Sequence, residues 1–341
     1  MSQKEHPFAP FVRQLGRGRH GARPLSEDEA YRAMLMIFEG DVAPEQLGAF
    51  LMLIRIREET PQELAGFVRA ARESISVPVS APAVQLDWSS YAGKRRQLPW
   101  FILSALLLAD SGVTVFMHGL AGHGGDGRVY TPAGIESLGI PLCKSLDEAA
   151  QRMHQEKFAF LALAELSPTL NMMIELRQLL GLRSPINSVV RMLNPFNAPY
   201  LIQGIFHPSY KDIHQQAGLL LQQPHLAVLK GEGGEIERNP DAACVVETVH
   251  EGVAGSEQWP ALFEQRHLKD ESMDVRRLGA LWRGEIDDEY GAAAVLGTVA
   301  IALKFLGQAD TMELAEQQAR QMWERRAKGK YTDPNLTQIF H

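Results

Sequence analysis

Apolar positions recur at helical spacing in about the first 75 residues. Ser26 followed by Glu29 fits a capping box that opens a helix through Phe38. Pro44 opens a second helix, in which apolar residues follow at helical intervals, and Pro61 opens a third. This pattern predicts an all-helical N-terminal domain over residues 1–77, which ends in a linker punctuated by prolines.

Beyond this linker, short apolar or β-branched runs alternate with helical patterns. The predicted strands are 84–88, 113–117, 158–163 and 226–230, with a further candidate at 243–249. The predicted helices are 101–109, a segment around Ile135, 146–154, 170–180, 200–205, 207–222, 290–305 and 311–326. The alternation predicts that residues 78–341 form a larger α/β domain, with a mostly parallel central sheet covered by helices.

Bulk composition is typical of a large folded protein. The 341 residues are 45% hydrophobic and 22% charged, which is enough to bury the cores of two domains. The two cysteines, Cys143 and Cys244, stand far apart and outside any metal-ligand spacing, which favours a reducing compartment. The longest apolar run is too short to cross a bilayer, and the N-terminus lacks an apolar signal region. We therefore expect a cytoplasmic protein without a membrane partner.

The segment from Val84 to Gly119 predicts a strand–loop–helix–strand unit whose first loop lies at a helix N-terminus, which is a ready-made anion site. That loop contains Gly93 and the consecutive cations Lys94, Arg95 and Arg96. Fixed positive charge beside backbone N–H groups favours phosphate contact, and no residue of the loop is an obvious catalyst. The alternative is a solvated surface turn.

Other residues near this loop extend the predicted phosphate site. Tyr91 is a candidate to stack on an unpaired base, or else to pack against a neighbouring tryptophan. His118, at a strand end, is a candidate to bind phosphate or ribose, or else a structural histidine. The glycine-rich segment 122–128 is predicted to be a ligand-covering loop that offers Arg128, and alternatively a relocated catalytic loop.

The net charge of −7 makes the distribution of cations more informative than their sum. Further candidates for a basic groove are Arg17, Arg19, Arg23, Arg183 and Arg191. A basic cluster over 320–330 either extends this groove or is simply solvated.

Several motifs carry a family resemblance. They are 25–30 (LSEDEA), 46–51 (QLGAFL), 59–66 (ETPQELAG), His118-Gly119, 134–139 (GIESLG), 175–181 (ELRQLLG) and 193–195 (LNP). Over most of its length the chain resembles the anthranilate phosphoribosyltransferases and their nucleoside-phosphorylase relatives, in glycosyltransferase family 3. The resemblance implies a small helical domain beside a larger α/β domain, usually in a homodimer, and Arg177 matches the arginine that contacts anthranilate.

The departures from that family affect its pyrophosphate and magnesium motifs. The family's Gly-Thr-Gly-Gly-Asp loop corresponds to residues 90–94, so Lys94 replaces the aspartate. The family's Thr-Phe-Asn-x-Ser-Thr stretch loses its hydroxyls and amide at residues 98–103. Its Asp-Glu metal pair falls in residues 231–237, where Glu232, Glu235 and Glu237 are weak metal candidates and no two carboxylates are adjacent.

These substitutions resemble those of the YbiB-like branch, on the evidence of residues 92–96, 194–199, 206–210 and 230–235. Resemblance to that branch implies a homodimer that binds nucleic acid along a basic groove. We therefore expect a nucleic-acid-binding homodimer with a degenerate catalytic site, no metal and no cofactor, which binds DNA or RNA, single-stranded rather than duplex, with weak sequence selectivity.

Two other functions stay open. The first is transfer of a phosphoribosyl group from phosphoribosyl pyrophosphate to anthranilate or a related aromatic acid, which would use Mg²⁺ to bind the leaving group. The second is binding of phosphate or another small phosphorylated ligand that is sensed rather than turned over.

Overall fold

The computed structural model describes residues 5–18, 20–122 and 127–331. Its N-terminal part contains the helices α1 Ala9–Gly16, α2 Glu27–Phe38, α3 Pro44–Arg57 and α4 Pro61–Glu73. The apolar spacing predicts the last three, and α1 has no counterpart in the prediction. Ser26 and Glu29 form the predicted capping box at the start of α2. Thr60 and Glu63 form a second capping box that begins α4.

A seven-stranded sheet forms the centre of the rest of the chain, in the order β3-β2-β1-β4-β5-β6-β7. The first five of these strands are parallel to one another, and β6 pairs antiparallel with both β5 and β7. Their bounds are β1 Leu86–Ser90, β2 Val115–Gly119, β3 Phe158–Ala162, β4 Tyr200–Ile205, β5 His225–Lys230, β6 Cys244–His250 and β7 Val253–Trp259. The predicted fold class, with its mostly parallel sheet, is confirmed.

Strand β4 corrects the prediction of a helix at residues 200–205. The segment pairs with β1 on one side and β5 on the other, so it lies in the middle of the sheet. Five of its six residues are buried, because helices or loops cover both faces. A strand buried on both faces lacks the alternation of polar and apolar residues that identifies a strand in a sequence. Strand β7 also has no counterpart in the prediction.

Helices cover both faces of the sheet and follow the predicted segments closely. They are α5 Phe101–Asp110, α6 Thr131–Ser137, α7 Leu146–Glu156, α8 Leu163–Leu166, α9 Pro168–Glu175, α10 Arg177–Leu180, α11 Ile186–Val189, α12 Tyr210–Leu220, α13 Arg276–Arg283, α14 Glu289–Phe305 and α15 Met312–Arg325. The predicted helix 170–180 is divided into α9 and α10 at Leu176. Helix α13 was not predicted.

The helical layer draws on two parts of the chain. Buried side chains of α1–α4 share one hydrophobic core with those of residues 163–193, which lie between β3 and β4. A second core joins the other face of the sheet to α5, α14 and α15. The boundary after residue 77 stays a prediction, because residues on both sides of it build the helical layer.

The packing of the helical layer against the sheet leaves a crevice between them. In the parallel part of the sheet the strand order reverses between β1 and β4, and ligands of such sheets bind beyond the carboxyl ends of the strands at that point. The loops after β1, β4 and β5 meet there. In the described part of the chain, no helix is both long and apolar enough to span a membrane.

Candidate functional site

The loop after β1 is closed by a carboxylate from another part of the chain. Glu235 Oε1 accepts hydrogen bonds of 2.6 Å from the N–H groups of both Ala92 and Gly93. The Glu235 side chain is only 1% exposed. Burial raises the pKa of its carboxyl group, against the lowering effect of these two hydrogen bonds. The two N–H groups that the sequence offers to phosphate therefore already hold a carboxyl oxygen of the protein.

Two glycines allow the segment with Glu235 to approach the sheet. A Cβ atom on Gly231 would lie 1.4 Å from the carbonyl oxygen of Glu235. A Cβ atom on Gly204, in β4, would lie 2.4 Å from the Glu235 carbonyl carbon. Since no side chain fits at either position, these glycines fix Glu235 beneath the loop after β1.

Lys94 forms a buried ion pair in the same region. Its Nζ lies 2.5 Å from Glu237 Oε1, and the two side chains are 1% and 0% exposed. Glu237 Oε2 accepts a 2.8 Å hydrogen bond from the N–H of Phe101, at the start of α5. Burial raises the pKa of Glu237 to about 7, against the lowering effect of the Lys94 ammonium. The helix N-terminus is thus satisfied by a side chain of the protein.

This geometry corrects the expected roles of three residues. Lys94 does not face the crevice, because Glu237 holds its ammonium inside the protein. Tyr91 is buried, and its hydroxyl lies 2.6 Å from His118 Nδ1, so its ring is no open platform for a base. His118 Nε2 lies 3.1 Å from Asp87 Oδ1. Both ring nitrogens of His118 therefore have partners within the protein, which favours the structural role over binding of phosphate or ribose.

The other cations of the loop differ from Lys94. Arg95 and Arg96 are exposed. Arg128 donates from Nη1 to the carbonyl oxygens of Ala92 and Gly93, at 2.9 and 3.1 Å. Arg128 therefore lies beside the predicted loop, as expected, but contacts its backbone carbonyls. Residues 123–126 of the predicted covering loop lie outside the described residues.

Two of the N-terminal arginines, Arg17 and Arg23, lie beside the first two helices. Arg17 is exposed just beyond α1, and Arg23 pairs with Glu29 at 2.8 Å. Arg19 lies outside the described residues. The pair between Arg23 and Glu29 belongs to the capping region of α2, so Arg23 has a structural role there.

An open cleft with a cavity volume of about 110 Å³ lies where the helical layer meets the carboxyl end of β4. Its walls come from the end of α3, from residues 183–191 and from the start of α12. Arg55 Nη1 donates to the Tyr210 hydroxyl at 3.1 Å, which joins the helical layer to α12. The exposed ring of Phe206 also lines the cleft. The cleft therefore offers both cations and aromatic surface.

Arginines gather around this cleft. Burial lowers the pKa of Arg183, and the nearby guanidiniums of Arg177, Arg128 and Arg55 lower it further. Arg191 is buried beside them, where burial lowers its pKa to about 10. Its Nε donates to the carbonyl oxygen of Gly204 at 3.0 Å, which fixes the guanidinium against the end of β4. So many close cations favour an anionic ligand.

Glu59 is the acidic side chain in the wall of the cleft. Glu58, with a left-handed φ of 63°, turns the chain after α3 so that Glu59 is buried. Glu59 Oε1 accepts a 2.5 Å hydrogen bond from the Ser188 hydroxyl, and its Oε2 has no hydrogen-bond partner in the described structure. Burial raises the pKa of the Glu59 carboxyl group, against the lowering effect of the hydrogen bond from Ser188.

Sequence reasoning found part of this cleft. It names Arg177 as the match to the family's anthranilate-contacting arginine, and Arg183 and Arg191 as groove residues. It missed Arg55 and Glu59, because their position against β4 depends on contacts between distant parts of the chain. Tyr210 lies in the segment 206–210 quoted for the resemblance, and this motif was the only signal for it.

The magnesium ion that the resemblance implies does not fit the residues present. Glu235 and Glu237 accept backbone N–H groups, and Glu237 also holds Lys94. Glu232 is farther out, where its Oε2 accepts from Asn239 at 3.3 Å. In the described chain, no three His, Cys, Asp or Glu side chains are grouped so that they could hold a metal ion.

Comparison with known families agrees with the architecture. Residues 9–75 match the helical bundle domain of a glycosyl transferase family, and residues 102–324 match its a/b domain. The chain belongs to this glycosyl transferase family.

Individual members of the family share about a quarter to a third of their residues with this chain. A protein of Aquifex aeolicus (strain VF5), named as uncharacterized, is 28% identical over 273 residues, or 78% of this chain and 83% of its own. The anthranilate phosphoribosyltransferase of Novosphingobium aromaticivorans is 30% identical over 212 residues, or 62% of this chain and 63% of its own. The uncharacterized protein YbiB of Escherichia coli (strain K12) is 26% identical over 239 residues, 68% of this chain and 73% of its own.

Solved structures of family members share the fold. Anthranilate phosphoribosyltransferase from Thermus thermophilus gives a TM-score of 0.72 at 23% identity, over 92% of this chain and 97% of its own. The Saccharomyces cerevisiae enzyme in complex with PRPP and Mg gives a TM-score of 0.73 at 15% identity, over 93% of each chain. The matched region covers less than two thirds of the Novosphingobium enzyme, so the family and fold are established and the activity is not.

The prediction that this chain is a nucleic-acid-binding protein is wrong as a statement of its function. The family members named above that have an activity in their names are anthranilate phosphoribosyltransferases, which favours the alternative in the sequence analysis. The physical reason lies in the loop after β1. Its lysine is paired internally and its N–H groups are occupied, so the loop does not present the expected phosphate-binding surface.

Proposed function

We propose that this protein is a phosphoribosyltransferase whose acceptor is an aromatic acid of the anthranilate type, bound in the cleft at the junction of the two layers. In this reaction the acceptor amine forms a bond to the anomeric carbon of a phosphoribosyl donor. The bond from that carbon to pyrophosphate breaks, and the amine loses a proton. The proposal takes its reaction from the named relatives and its binding site from this chain.

The observation that carries the proposal is the convergence of arginines and aromatic rings on one cleft. A guanidinium binds a carboxylate through two parallel hydrogen bonds, and Arg183 is half-buried at a position where a ligand can reach it. The rings of Phe206 and Tyr210 provide apolar surface for the flat face of an acceptor. Glu59, whose Oε2 has no hydrogen-bond partner in the described structure, provides a polar group in the wall of the same cleft.

Calorimetric titration tests the acceptor site. We expect anthranilate to bind and aniline, which lacks the carboxylate, to bind at least tenfold more weakly. Arg183→Ala is expected to weaken anthranilate binding at least tenfold, because a charge-assisted pair is lost (about 1.4 kcal/mol or more). Arg32→Ala removes an exposed arginine on α2 and serves as the matched control, with unchanged affinity.

Turnover tests the reaction itself. When wild-type protein is supplied with phosphoribosyl pyrophosphate and anthranilate, we expect the fluorescence of anthranilate to decrease as it is converted. With Arg183→Ala, we expect a slower decrease at low acceptor concentration. Equal binding of aniline and anthranilate, or no turnover of either, would contradict the proposal.

We also propose that the protein forms a homodimer through the helical layer. Leu179 and Leu182, on and just after α10, are 84% and 51% exposed, and Met172 on α9 is 43% exposed. Light scattering is expected to give twice the chain mass of 37.9 kDa for the wild type and a single chain mass for Leu179→Glu/Leu182→Glu. Leu268→Glu, at an 89% exposed position outside this layer, is the control and should stay dimeric.

We propose the cytoplasm as the location. Cys143 and Cys244 are both free and buried, and burial raises the pKa of Cys244 to about 11, which keeps this thiol protonated and unreactive. Fractionation of cells that express the tagged chain tests this proposal.

A further inference from the structure

The loop after β1 and the start of α5 together offer three backbone N–H groups of the kind that bind phosphate oxygens. They belong to Ala92, Gly93 and Phe101. All three donate to carboxylate oxygens of the same short segment, the first two to Glu235 and the third to Glu237. The carboxylates therefore satisfy the groups that an incoming phosphate needs.

The Lys94 ammonium provides a positive charge at the same loop. The Lys94 ammonium lies 2.5 Å from Glu237 and 3.4 Å from the carbonyl oxygen of Glu232. Mg²⁺ requires oxygen ligands in octahedral array and keeps several of its waters. The pair of Lys94 and Glu237 is at most 1% exposed, which leaves no room for those waters, and a divalent ion beside a buried ammonium is repelled.

The surroundings hold this arrangement in place from three sides. Gly231 and Gly204 let the Glu235 backbone lie against the end of β4. Arg128 binds the loop carbonyls from above. Arg191 is close enough to Glu235 for each to influence the pKa of the other. Glu235 thus lies near the Arg191 guanidinium, as a bound anion would.

We propose that the donor side of the cleft is filled by the protein's own charges, with Glu235 in the place of a phosphate group and Lys94 in the place of the metal ion. The segment 231–237 has to move before pyrophosphate reaches the loop after β1, and magnesium gives no help in that step. This inference goes beyond the proposed acceptor site and depends on none of the residues that bind the acceptor carboxylate there.

Titration with sodium pyrophosphate, with and without MgCl₂, tests the inference on the full-length protein. For the wild type we expect weak binding that magnesium changes by less than twofold. Glu235→Ala frees two N–H groups and removes a competing negative charge, so we expect pyrophosphate to bind at least tenfold more tightly. Glu232→Ala removes a carboxylate from the same segment without freeing either N–H group, and is expected to stay within twofold of the wild type.

Two results would overturn the inference: a wild-type affinity that rises tenfold or more with magnesium, or a folded Glu235→Ala variant with wild-type affinity. If Glu235→Ala does not fold, Glu235→Gln keeps the shape and removes the charge. A gain of at least threefold is then expected, and equality with the wild type would reject the idea. Anthranilate is absent from these titrations, so failure of the acceptor proposal leaves them interpretable, and the reverse is also true.

Discussion

At the scale of single residues, Lys94 shows how one substitution changes a site. A buried ion pair gains little over an apolar pair, but removal of one partner leaves a buried charge that is costly. Lys94 and Glu237 are 143 positions apart in the sequence, so a reading of the loop alone gives an exposed cation. The lysine correctly indicates that the chemistry of the loop differs from that of the family. Whether its ammonium faces solvent or the interior depends on Glu237, which the local sequence does not reveal.

Removal of this lysine is expected to destabilise the protein. Lys94→Met leaves Glu237 buried without its cation, at a cost of about 3–5 kcal/mol in the free energy of unfolding at pH 8. The cost should be smaller at pH 5.5, because the pKa of Glu237, already raised to about 7 by burial, allows the folded variant to take up a proton. Urea denaturation at both pH values measures it.

The double variant Lys94→Met/Glu237→Gln is the control for that experiment. Glutamine can still accept the Phe101 N–H group, and it carries no charge. Most of the lost stability should therefore return. A double variant as unstable as Lys94→Met would show that the ion pair is not the cause.

The buried His214 makes the free energy of unfolding depend on pH. Its Nδ1 donates to Gln203 Oε1 at 2.6 Å, and burial, with the nearby Arg191, lowers its pKa from 6.5 to about 3. Between these values the unfolded chain binds a proton that the folded chain does not, so stability falls as the pH drops below 6.5, by up to about 1.4 kcal/mol per unit. His214→Gln should lose this part of the slope in urea titrations from pH 7 to 4. An unchanged slope would mean that His214 does not titrate on unfolding.

At the scale of elements, sequence pattern was most informative where the signal is local. The capping box at Ser26 and the proline starts of α3 and α4 appear where predicted. The sequence predicts a helix at β4, because burial on both faces removes the alternation of a strand, and it predicts a single helix where the structure has α9 and α10. The closed loop of residues 231–237 could not be predicted, since it is defined by contacts with β4 and with the loop after β1.

Gly231→Ala tests that loop as an element. Its Cβ atom would lie 1.4 Å from the Glu235 carbonyl oxygen, so the segment has to shift and Glu235 should leave the N–H groups of Ala92 and Gly93. We expect faster hydrogen exchange at those two amides and a loss of stability of about 1–3 kcal/mol, as for other overpacked sites. Gly329→Ala meets no atom within 4 Å and is the control. Unchanged protection in Gly231→Ala would contradict the described contact.

At the scale of the whole molecule, the cleft exists because two segments that are far apart in the sequence together build the helical layer. Arg55 and Glu59 come from α3 and the turn after it, and Arg183 and Arg191 from the residues before β4. The family resemblance predicted the two-layer fold correctly, because it rests on many short motifs spread along the chain. It could not predict that the acceptor side stays open while the donor side is filled, since that contrast depends on how the layers pack.

A crystal structure of the wild-type protein grown with anthranilate, pyrophosphate and MgCl₂ tests this contrast most directly. The account predicts anthranilate in the cleft with its carboxylate beside Arg183, Glu235 still bound to the N–H groups of Ala92 and Gly93, and no metal ion next to Lys94. A magnesium ion bound next to Lys94, or a cleft without anthranilate, would contradict it.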